Sequence, residues 1–300
     1  MQYKIILMSS GDKNPCNIAK TSRFQLLCAN SPISPNIVIK MDQKETNHFF
    51  DKAFWSVYSY IYDVMEKLLP YQQLLNDMEE ACAVNSDANT LEIGIGTLNF
   101  TKKILPKVKK LYGVDFSDAF INKGIKKVNE KEKEKLEIEI LDLNNHREVQ
   151  EYFNRHKIEG GFNLICGNLV FYTLQNGEVL LSVFKENLNT GGKIVLSNIR
   201  PWFSPRDNLK AHIQMKAAVF NKSYGHIVGW CAAILNLLSL APRLIGVGIL
   251  NVILTGRADY TKYTDNELKA MAKRVGLKIS IRPDSYAGST SIIILEPEAE

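Results

Sequence analysis

Short apolar runs alternate with helix-forming segments through the middle of the chain, and this order restricts the folds open to it. Five runs have the length and composition of buried strands: residues 90–95, 110–114, 136–141, 162–166 and 193–197. Apolar residues recur at helical spacing in the segments between them, at approximately 98–105, 118–133, 147–156 and 177–188. A β-α-β-α order predicts a parallel sheet covered by helices on both faces.

The end of the chain predicts a change of strand direction. Thr264 and Glu267 have the spacing of a capping box, which starts a helix reaching about residue 275. Two more strands are predicted at 277–282 and 290–295, and the loop between them is too short for a crossover helix. They must therefore pair as an antiparallel hairpin. The pattern as a whole predicts an α/β fold with a Rossmann-like, seven-stranded, mostly parallel sheet.

The chain has the size and composition of an ordinary globular domain, with 300 residues, 45% of them hydrophobic and 23% charged. Residues 1–40 show no periodicity and are predicted to be a poorly ordered N-terminal extension. One domain is predicted over 41–300, with an insert at about 200–263 that interrupts the strand-helix pattern. The first apolar run has only four residues, which is too short for a signal-peptide core.

Cysteine spacing and charge argue against several classes of protein. The five cysteines include no C-x-x-C pair, so the sequence predicts no zinc or other metal site and no disulfide framework, and it favours a cytoplasmic location. The net charge is +5, and much of the basic excess lies within 102–110 and 126–135. We interpret these lysines as solvated helix faces. No aromatic residues are interleaved with them, so no nucleic-acid partner is predicted.

Two glycines follow the first predicted strand, at the edge of the sheet where ligands bind in this kind of fold. Gly94 and Gly96 allow close backbone approach and unusual dihedral angles. Asp115 ends the second strand about twenty residues later, where a carboxylate can accept hydrogen bonds from both ribose hydroxyls of an adenosyl group. The alternative for Asp115 is an N-cap of the helix that begins near Asp118.

An adenosyl ribose occurs in both NAD and S-adenosylmethionine, and two residues distinguish between them. A dinucleotide fingerprint requires a third small residue, and Asn99 occupies that position. Glu92 places a carboxylate beside the turn, which would repel a pyrophosphate but suit an ammonium or sulfonium group. Asp142 and Leu143 follow the third strand, where they could meet an adenine amino group.

Five segments in order resemble the motifs of class I S-adenosylmethionine-dependent methyltransferases: LEIGIGTLNFT, LYGVDFSDAFI, IEILDLNN, FNLICGNLVFYTL and LNTGGKIVLSN. The resemblance covers about residues 45–198 and 264–297, and the terminal hairpin fits the seven-stranded sheet of that family. Leu98 stands where a third motif glycine is usual. Asn163 replaces the usual Asp of the fourth strand, and Asn189-Thr190 precede Gly191-Gly192 in place of x-Pro.

The resemblance implies S-adenosylmethionine as the cofactor and assigns residues to it. Its methionine part should contact Glu92, Gly94 and Gly96, its ribose and adenine should contact Asp115 and Phe116, and its adenine edge should contact Asp142 and Leu143. Asn168 should offer polar groups near the amino acid end. Tyr62 resembles the N-terminal tyrosine that covers the cofactor in relatives, although a core aromatic is an equal alternative.

Methyl transfer requires an oriented acceptor and sometimes a general base. His212 and His226 lie in the insert and are candidates for the base. Tyr172 follows the fourth strand, at a position that often faces the acceptor. Each has a structural alternative, since a lone histidine usually serves packing and Tyr172 lies in an apolar run.

The insert is predicted to form a helical lid. Arg243 is the one permanently charged residue within 223–256, where two apolar blocks are separated at Pro242. Each block is shorter than the ~20 residues of a bilayer-spanning helix. Three interpretations remain: a lid packed on the sheet, a lid lining a pocket for a lipophilic acceptor, and a segment in peripheral contact with a membrane, aided by Lys210, Lys216 and Lys222.

The sequence thus predicts a methyltransferase that acts on an O, N or C atom of a small, hydrophobic acceptor such as a lipid, a quinone-like compound or a secondary metabolite. The alternatives are a NAD-dependent oxidoreductase or a non-catalytic nucleotide-binding domain, and an RNA or protein methyltransferase. The oligomeric state is left open.

Overall fold

A computed structural model describes Phe54 and residues 57–156, 158, 160–255 and 261–298. The predicted N-terminal extension, 1–40, lies outside the described residues, as do 41–53. All of the described residues belong to one compact unit, residues 52–300.

Seven strands form one sheet with the order β3-β2-β1-β4-β5-β7-β6. The first five strands are parallel, and β7 is antiparallel to both β5 and β6. This arrangement confirms the predicted fold class. The bounds of β1 to β7 are Asn89–Ile93, Lys110–Asp115, Leu136–Ile140, Phe162–Gly167, Leu188–Ile199, Leu277–Ser285 and Thr290–Pro297.

Helices connect these strands and cover both faces of the sheet. Phe54 and residues 57–62 are α-helical, and a short 3-10 helix, Asp63–Lys67, follows them. The α-helices α1 to α9 span Leu69–Cys82, Thr101–Ile104, Asp118–Gly124, Glu130–Lys133, His146–Arg155, Gly177–Glu186, Pro205–Tyr224, His226–Thr255 and Asp265–Val275. The capping box predicted at the start of α9 is present, with both of its reciprocal hydrogen bonds.

The core consists of two apolar clusters because successive strand residues point to opposite faces of the sheet. On one face Leu164 and Cys166 belong to a cluster with Leu74 and Met78 of α1. On the other face Ile165 belongs to a cluster whose members from the helices include Tyr152, Phe153 and Phe184. All of these side chains are buried.

The insert after β5 folds into two long helices, α7 and α8, joined at Gly225. The predicted interruption at Pro242 is wrong, because α8 continues through it for 30 residues. A proline inside a helix removes one backbone hydrogen bond, and packing of the helix against its neighbours can offset that loss. Its residues Gly229, Ala233, Leu240 and Val247 are buried.

Candidate active site

The turn after β1 has an unusual backbone that brings it close to its neighbours. Gly94, Gly96 and Leu98 all have positive φ, of 63°, 52° and 60°. The left-handed region is routine for glycine but costs about 1–2 kcal/mol for leucine. Leu98 is fully buried, so packing holds this residue where the family has its third glycine. A Cβ on Gly94 would lie 2.5 Å from Cγ2 of Val170, which explains the need for glycine there.

Asp115 binds the turn to the end of β2. Its Oδ2 accepts a hydrogen bond from the N–H of Gly96, and its Oδ1 accepts one from the N–H of Ser117, both at 2.9 Å. Burial raises the pKa of Asp115 to about 6, against these backbone bonds, so the group is largely ionised at pH 7. Ser117, not Asp115, is the N-cap of α3, with its Oγ accepting from Phe120. The alternative role predicted for Asp115, as the N-cap of this helix, is therefore wrong.

Glu92 is a buried acid directly before the turn. It is 1% exposed, and within the described part of the chain its Oε2 has no hydrogen-bond partner. Burial raises the pKa of Glu92 to about 8, and the negative charge of Asp115 adds to the rise. A buried acceptor without a partner is costly unless a ligand completes it. The site therefore fits a cofactor that brings a positive charge or N–H donors.

Aromatic rings pack beside the glycine turn. The rings of Tyr62 and Phe120 are 5.7 Å apart in edge contact, and Tyr58 lies 5.3 Å from Tyr62. A Cβ on Gly96 would lie 3.6 Å from Cδ1 of Phe120, which is ordinary contact. Phe120 thus connects Tyr62 to the turn. This position is compatible with both predicted roles of Tyr62, a residue that covers the cofactor and an aromatic residue of the core. Its cofactor role stays a prediction.

Tyrosine side chains from distant parts of the chain are gathered at this edge of the sheet. The hydroxyls of Tyr62 and Tyr71 are 3.3 Å apart, and the rings of Tyr71 and Tyr286 are 6.0 Å apart. Burial raises the pKa of Tyr62 and of Tyr286, and the Tyr172 phenol contributes to both rises, which places Tyr172 near them. Sequence reasoning missed Tyr71 and Tyr286. We call these four residues the tyrosine cluster.

A partly buried lysine joins the first 3-10 helix to the glycine turn. Nζ of Lys127 lies 2.8 Å from Oδ1 of Asp63 and 2.7 Å from Oδ1 of Asn99. The Thr97 hydroxyl also donates to Asp63. The solvated face predicted for 126–135 is therefore wrong at Lys127, whose partners lie about thirty and sixty residues away. Although burial opposes the change, the bonds from Lys127, Thr97 and Lys123 lower the pKa of Asp63.

The two histidines predicted as bases have different surroundings. In His212, Nδ1 accepts from the backbone N–H of Leu69 at 3.1 Å, so the proton lies on Nε2, which faces Oδ1 of Asn236 at 3.2 Å. Both nitrogens are thus engaged in linking α1, α7 and α8, and burial lowers the pKa of the ring. His226 is exposed at the start of α8 and accepts from Nε1 of Trp230. These contacts give neither residue support as a base.

Four other predicted residues follow β2, β3 and β4. Phe116 is partly exposed next to Asp115. Oδ1 of Asp142 accepts a hydrogen bond from the N–H of Asn144. The N–H of Leu141 donates to the carbonyl of Asp115, so Asp142 adjoins the end of β2. Leu143 packs in the core, so its side chain is engaged there. Asn168 accepts from the hydroxyl of Ser197 on β5 at 2.9 Å. Their cofactor contacts stay predictions.

A search of the described residues for groups of three or more His, Cys, Asp or Glu side chains that could hold a metal ion finds none. The residues gathered at this edge are carboxylates, backbone N–H groups and phenols. Such a set can bind ribose hydroxyls and an amino acid head group.

Comparison with known proteins agrees with this geometry. A family model described as a methyltransferase domain matches residues 64–228, which is more than half of the chain. No curated protein sequence matches. Two similar solved structures are the methyltransferase in complex with the Trm112 activator of Haloferax volcanii and the DhpI complex with S-adenosylhomocysteine. The first is 9% identical, with a TM-score of 0.53, and covers 83% of this chain and 98% of that one. The second is 11% identical, with a TM-score of 0.50, and covers 83% and 95%.

At these identities the solved structures show a common fold, while the family match covers the glycine turn, Asp115, the end of β4 and the start of the insert. This match also decides against the oxidoreductase alternative. The chain belongs to the methyltransferase-domain family and is a class I S-adenosylmethionine-dependent methyltransferase.

Proposed function

We propose that this enzyme transfers the methyl group to an O, N or C atom of a small, hydrophobic acceptor. The observation that carries the proposal is the tyrosine cluster, which lies between the glycine turn and the apolar insert. Tyr172 follows β4 and Tyr286 lies in the hairpin between β6 and β7, while Tyr62 and Tyr71 come from the N-terminal helices. An acceptor between these elements would contact aromatic rings and few charges.

The chemistry of the cluster suits an acceptor that is mostly apolar with one polar group. Burial raises the pKa of Tyr62, Tyr71 and Tyr286, so these phenols keep their protons at neutral pH. A protonated phenol donates a hydrogen bond to an acceptor oxygen or nitrogen, and its ring covers apolar surface. Tyr172 would position the acceptor in this way.

The division of work among the residues follows from their contacts. Asp115 would bind the ribose, Glu92 would compensate positive charge, and the backbone of Gly94 and Gly96 would allow close approach. When bound, S-adenosylmethionine supplies an electrophilic methyl group on a positive sulfur. The insert would exclude water, and orientation of the acceptor alone can contribute on the order of 7–11 kcal/mol to lowering the barrier.

The first experiment measures binding of S-adenosylhomocysteine by titration calorimetry. Asp115→Asn removes the negative charge and replaces one accepting oxygen with an amide that faces N–H donors. Charged hydrogen bonds contribute about 1.5–3 kcal/mol, so we expect affinity to fall about 10- to 100-fold. Asp87→Asn, at an exposed turn residue, is the matched control and should bind normally. Equal affinity of Asp115→Asn and the unchanged enzyme would refute the ribose role.

The second experiment identifies the acceptor class. Radiolabelled cofactor and the enzyme are incubated with cell extracts fractionated by polarity, and label should appear in apolar small molecules. Label in RNA or protein would overturn the acceptor part of the proposal and leave cofactor binding intact. Absence of S-adenosylhomocysteine binding would overturn the whole proposal. We also propose that the enzyme is located in the cytoplasm.

A further inference from the structure

The outer face of α8 is apolar and exposed from Ile227 to Val252. Its most exposed large side chains are 46–78% accessible: Ile227, Val228, Ile234, Leu235, Leu238, Ile245, Ile249 and Val252. A surface helix normally places polar residues on this face, and a helix that is apolar all round is normally buried in protein or lipid. A contiguous apolar surface of this kind indicates an interaction site.

The helix lies flat on the domain. Its buried residues Gly229 and Val247 are eighteen positions apart, which is about 27 Å at 1.5 Å per residue. At 100° per residue, the exposed face formed by Leu235, Leu238 and Ile245 lies roughly opposite this buried stripe. By length and composition, residues 226–250 could cross a membrane. Their packing on the domain instead presents one long face in a single plane.

Basic side chains outnumber acidic ones in the two helices of the insert. Helix α7 and α8 together carry five basic residues and a single acidic residue, Asp207. The basic residues are Arg206, Lys210, Lys216, Lys222 and Arg243. Exposed Trp202, Tyr224 and Trp230 lie in the same segment, and amphipathic aromatics of this kind are enriched at membrane interfaces. We infer that the outer face of α8 binds the surface of an anionic lipid bilayer, with the helix axis parallel to the membrane.

Charge decides between lipid and a second copy of the chain. A symmetric dimer through this face would bring two sets of the same basic side chains together, with one acid from each copy to offset them. An anionic lipid surface complements both the apolar face and the net positive charge of the two helices. We therefore assign the outer face of α8 to lipid binding. A dimer formed through this face would contradict the assignment.

The same helix adjoins the active site on its inner side. A Cβ on Gly246 would lie 3.1 Å from Cδ1 of Ile61, next to Tyr62 of the tyrosine cluster. His212 joins α8 to the start of α1 through its two ring nitrogens. Bilayer and reaction site would thus lie on opposite sides of one helix. Entry of a lipophilic acceptor from the membrane would rest on the proposed function, whereas bilayer binding itself does not.

Co-sedimentation of the full chain with vesicles tests the inference. We expect binding to vesicles of phosphatidylcholine mixed with phosphatidylglycerol, weaker binding to phosphatidylcholine alone, and release at high salt. The variant Leu235→Glu/Leu238→Glu should lower the partition coefficient at least tenfold. Ile140→Glu, an equally exposed apolar residue at the end of β3, should change it little.

Four further measurements separate the possible outcomes. Thermal unfolding must show that each variant folds, and S-adenosylhomocysteine binding in solution should be unchanged in Leu235→Glu/Leu238→Glu. A wild-type chain that stays in the supernatant with both vesicle types would overturn the inference. So would a dimer in the absence of lipid that the same double substitution dissociates. Loss of methyl transfer with intact vesicle binding would count against the proposed function alone.

Discussion

The stability of cofactor-free Glu92→Gln relative to the wild type should increase as pH rises. In the unfolded chain the glutamate ionises near its ordinary pKa of 4.5, whereas burial raises the pKa of Glu92 in the folded chain to about 8. Between these values the folded state binds one more proton than the unfolded state. Stability from this group is therefore full below the unfolded pKa and is lost as pH rises toward the folded pKa.

The size of the effect follows from the two pKa values. Each pH unit in this window lowers the free energy of unfolding by about 1.4 kcal/mol, and the slope flattens near the folded pKa. From about pH 6.5 to pH 8 the loss is about 1.6 kcal/mol. Glutamine has nearly the shape of a protonated glutamate and carries no ionisable group. The difference in unfolding free energy, variant minus wild type, should thus grow by about 1.6 kcal/mol over that range.

Urea unfolding of both proteins without cofactor, at several pH values, measures this difference. The pH window also avoids most of the contribution from Asp115, whose folded pKa is raised to about 6. Comparing the variant with the wild type cancels the ionisation of groups that do not interact with Glu92. A difference that stays constant between about pH 6.5 and pH 8 would mean that Glu92 is already ionised and paired in the folded chain, and the argument that it awaits a positive cofactor would fail.

Two substitutions test the packing around the site. Gly124→Ala would place its Cβ 2.7 Å from the carbonyl carbon of Thr97, so we expect a loss of about 1–3 kcal/mol in urea unfolding. Gly248→Ala is the control, because among the described residues no atom beyond its own turn of helix lies within 4 Å of its Cβ. His212→Phe would leave the two hydrogen-bond partners of the ring partly buried and unsatisfied, lowering stability by about 2–4 kcal/mol. The exposed His226→Phe should change unfolding by less than about 0.5 kcal/mol, and equal effects at both histidines would contradict the structural role of His212.

The strands and their order could be predicted because their signal is local. Buried parallel strands appear as apolar runs, and the short loop before β7 permits only an antiparallel hairpin. The predicted start of β5 at residue 193 is wrong. The strand begins at Leu188, five residues earlier, because the polar and glycine residues 189–192 also belong to it. In the structure Leu188 pairs with Phe162, and the ladder is irregular between Phe162 and Leu164.

The active site was only partly predictable because several of its contacts join residues far apart in sequence. Asp115 could be placed from strand spacing, since parallel strands end at one edge. Tyr71 and Tyr286 could not, because one occupies an ordinary amphipathic helix and the other a hairpin turn. Lys127 lies in a lysine-rich segment, and its sequence neighbours give no indication that Asp63 and Asn99 would surround its ammonium group.

Leu98 shows why a departure from the family motif need not change the turn. The motif glycines exist because the backbone at these positions adopts positive φ, and Leu98 keeps that conformation at 60°. The cost of about 1–2 kcal/mol is offset by burial of its side chain, which contributes about 1.5–3 kcal/mol. Gly124 leaves the space that this side chain needs, because a Cβ there would collide with the leucine side chain and with the backbone of the turn. Leu98 and Gly124 therefore fit each other, and their contact joins the turn that adjoins the cofactor site to α3.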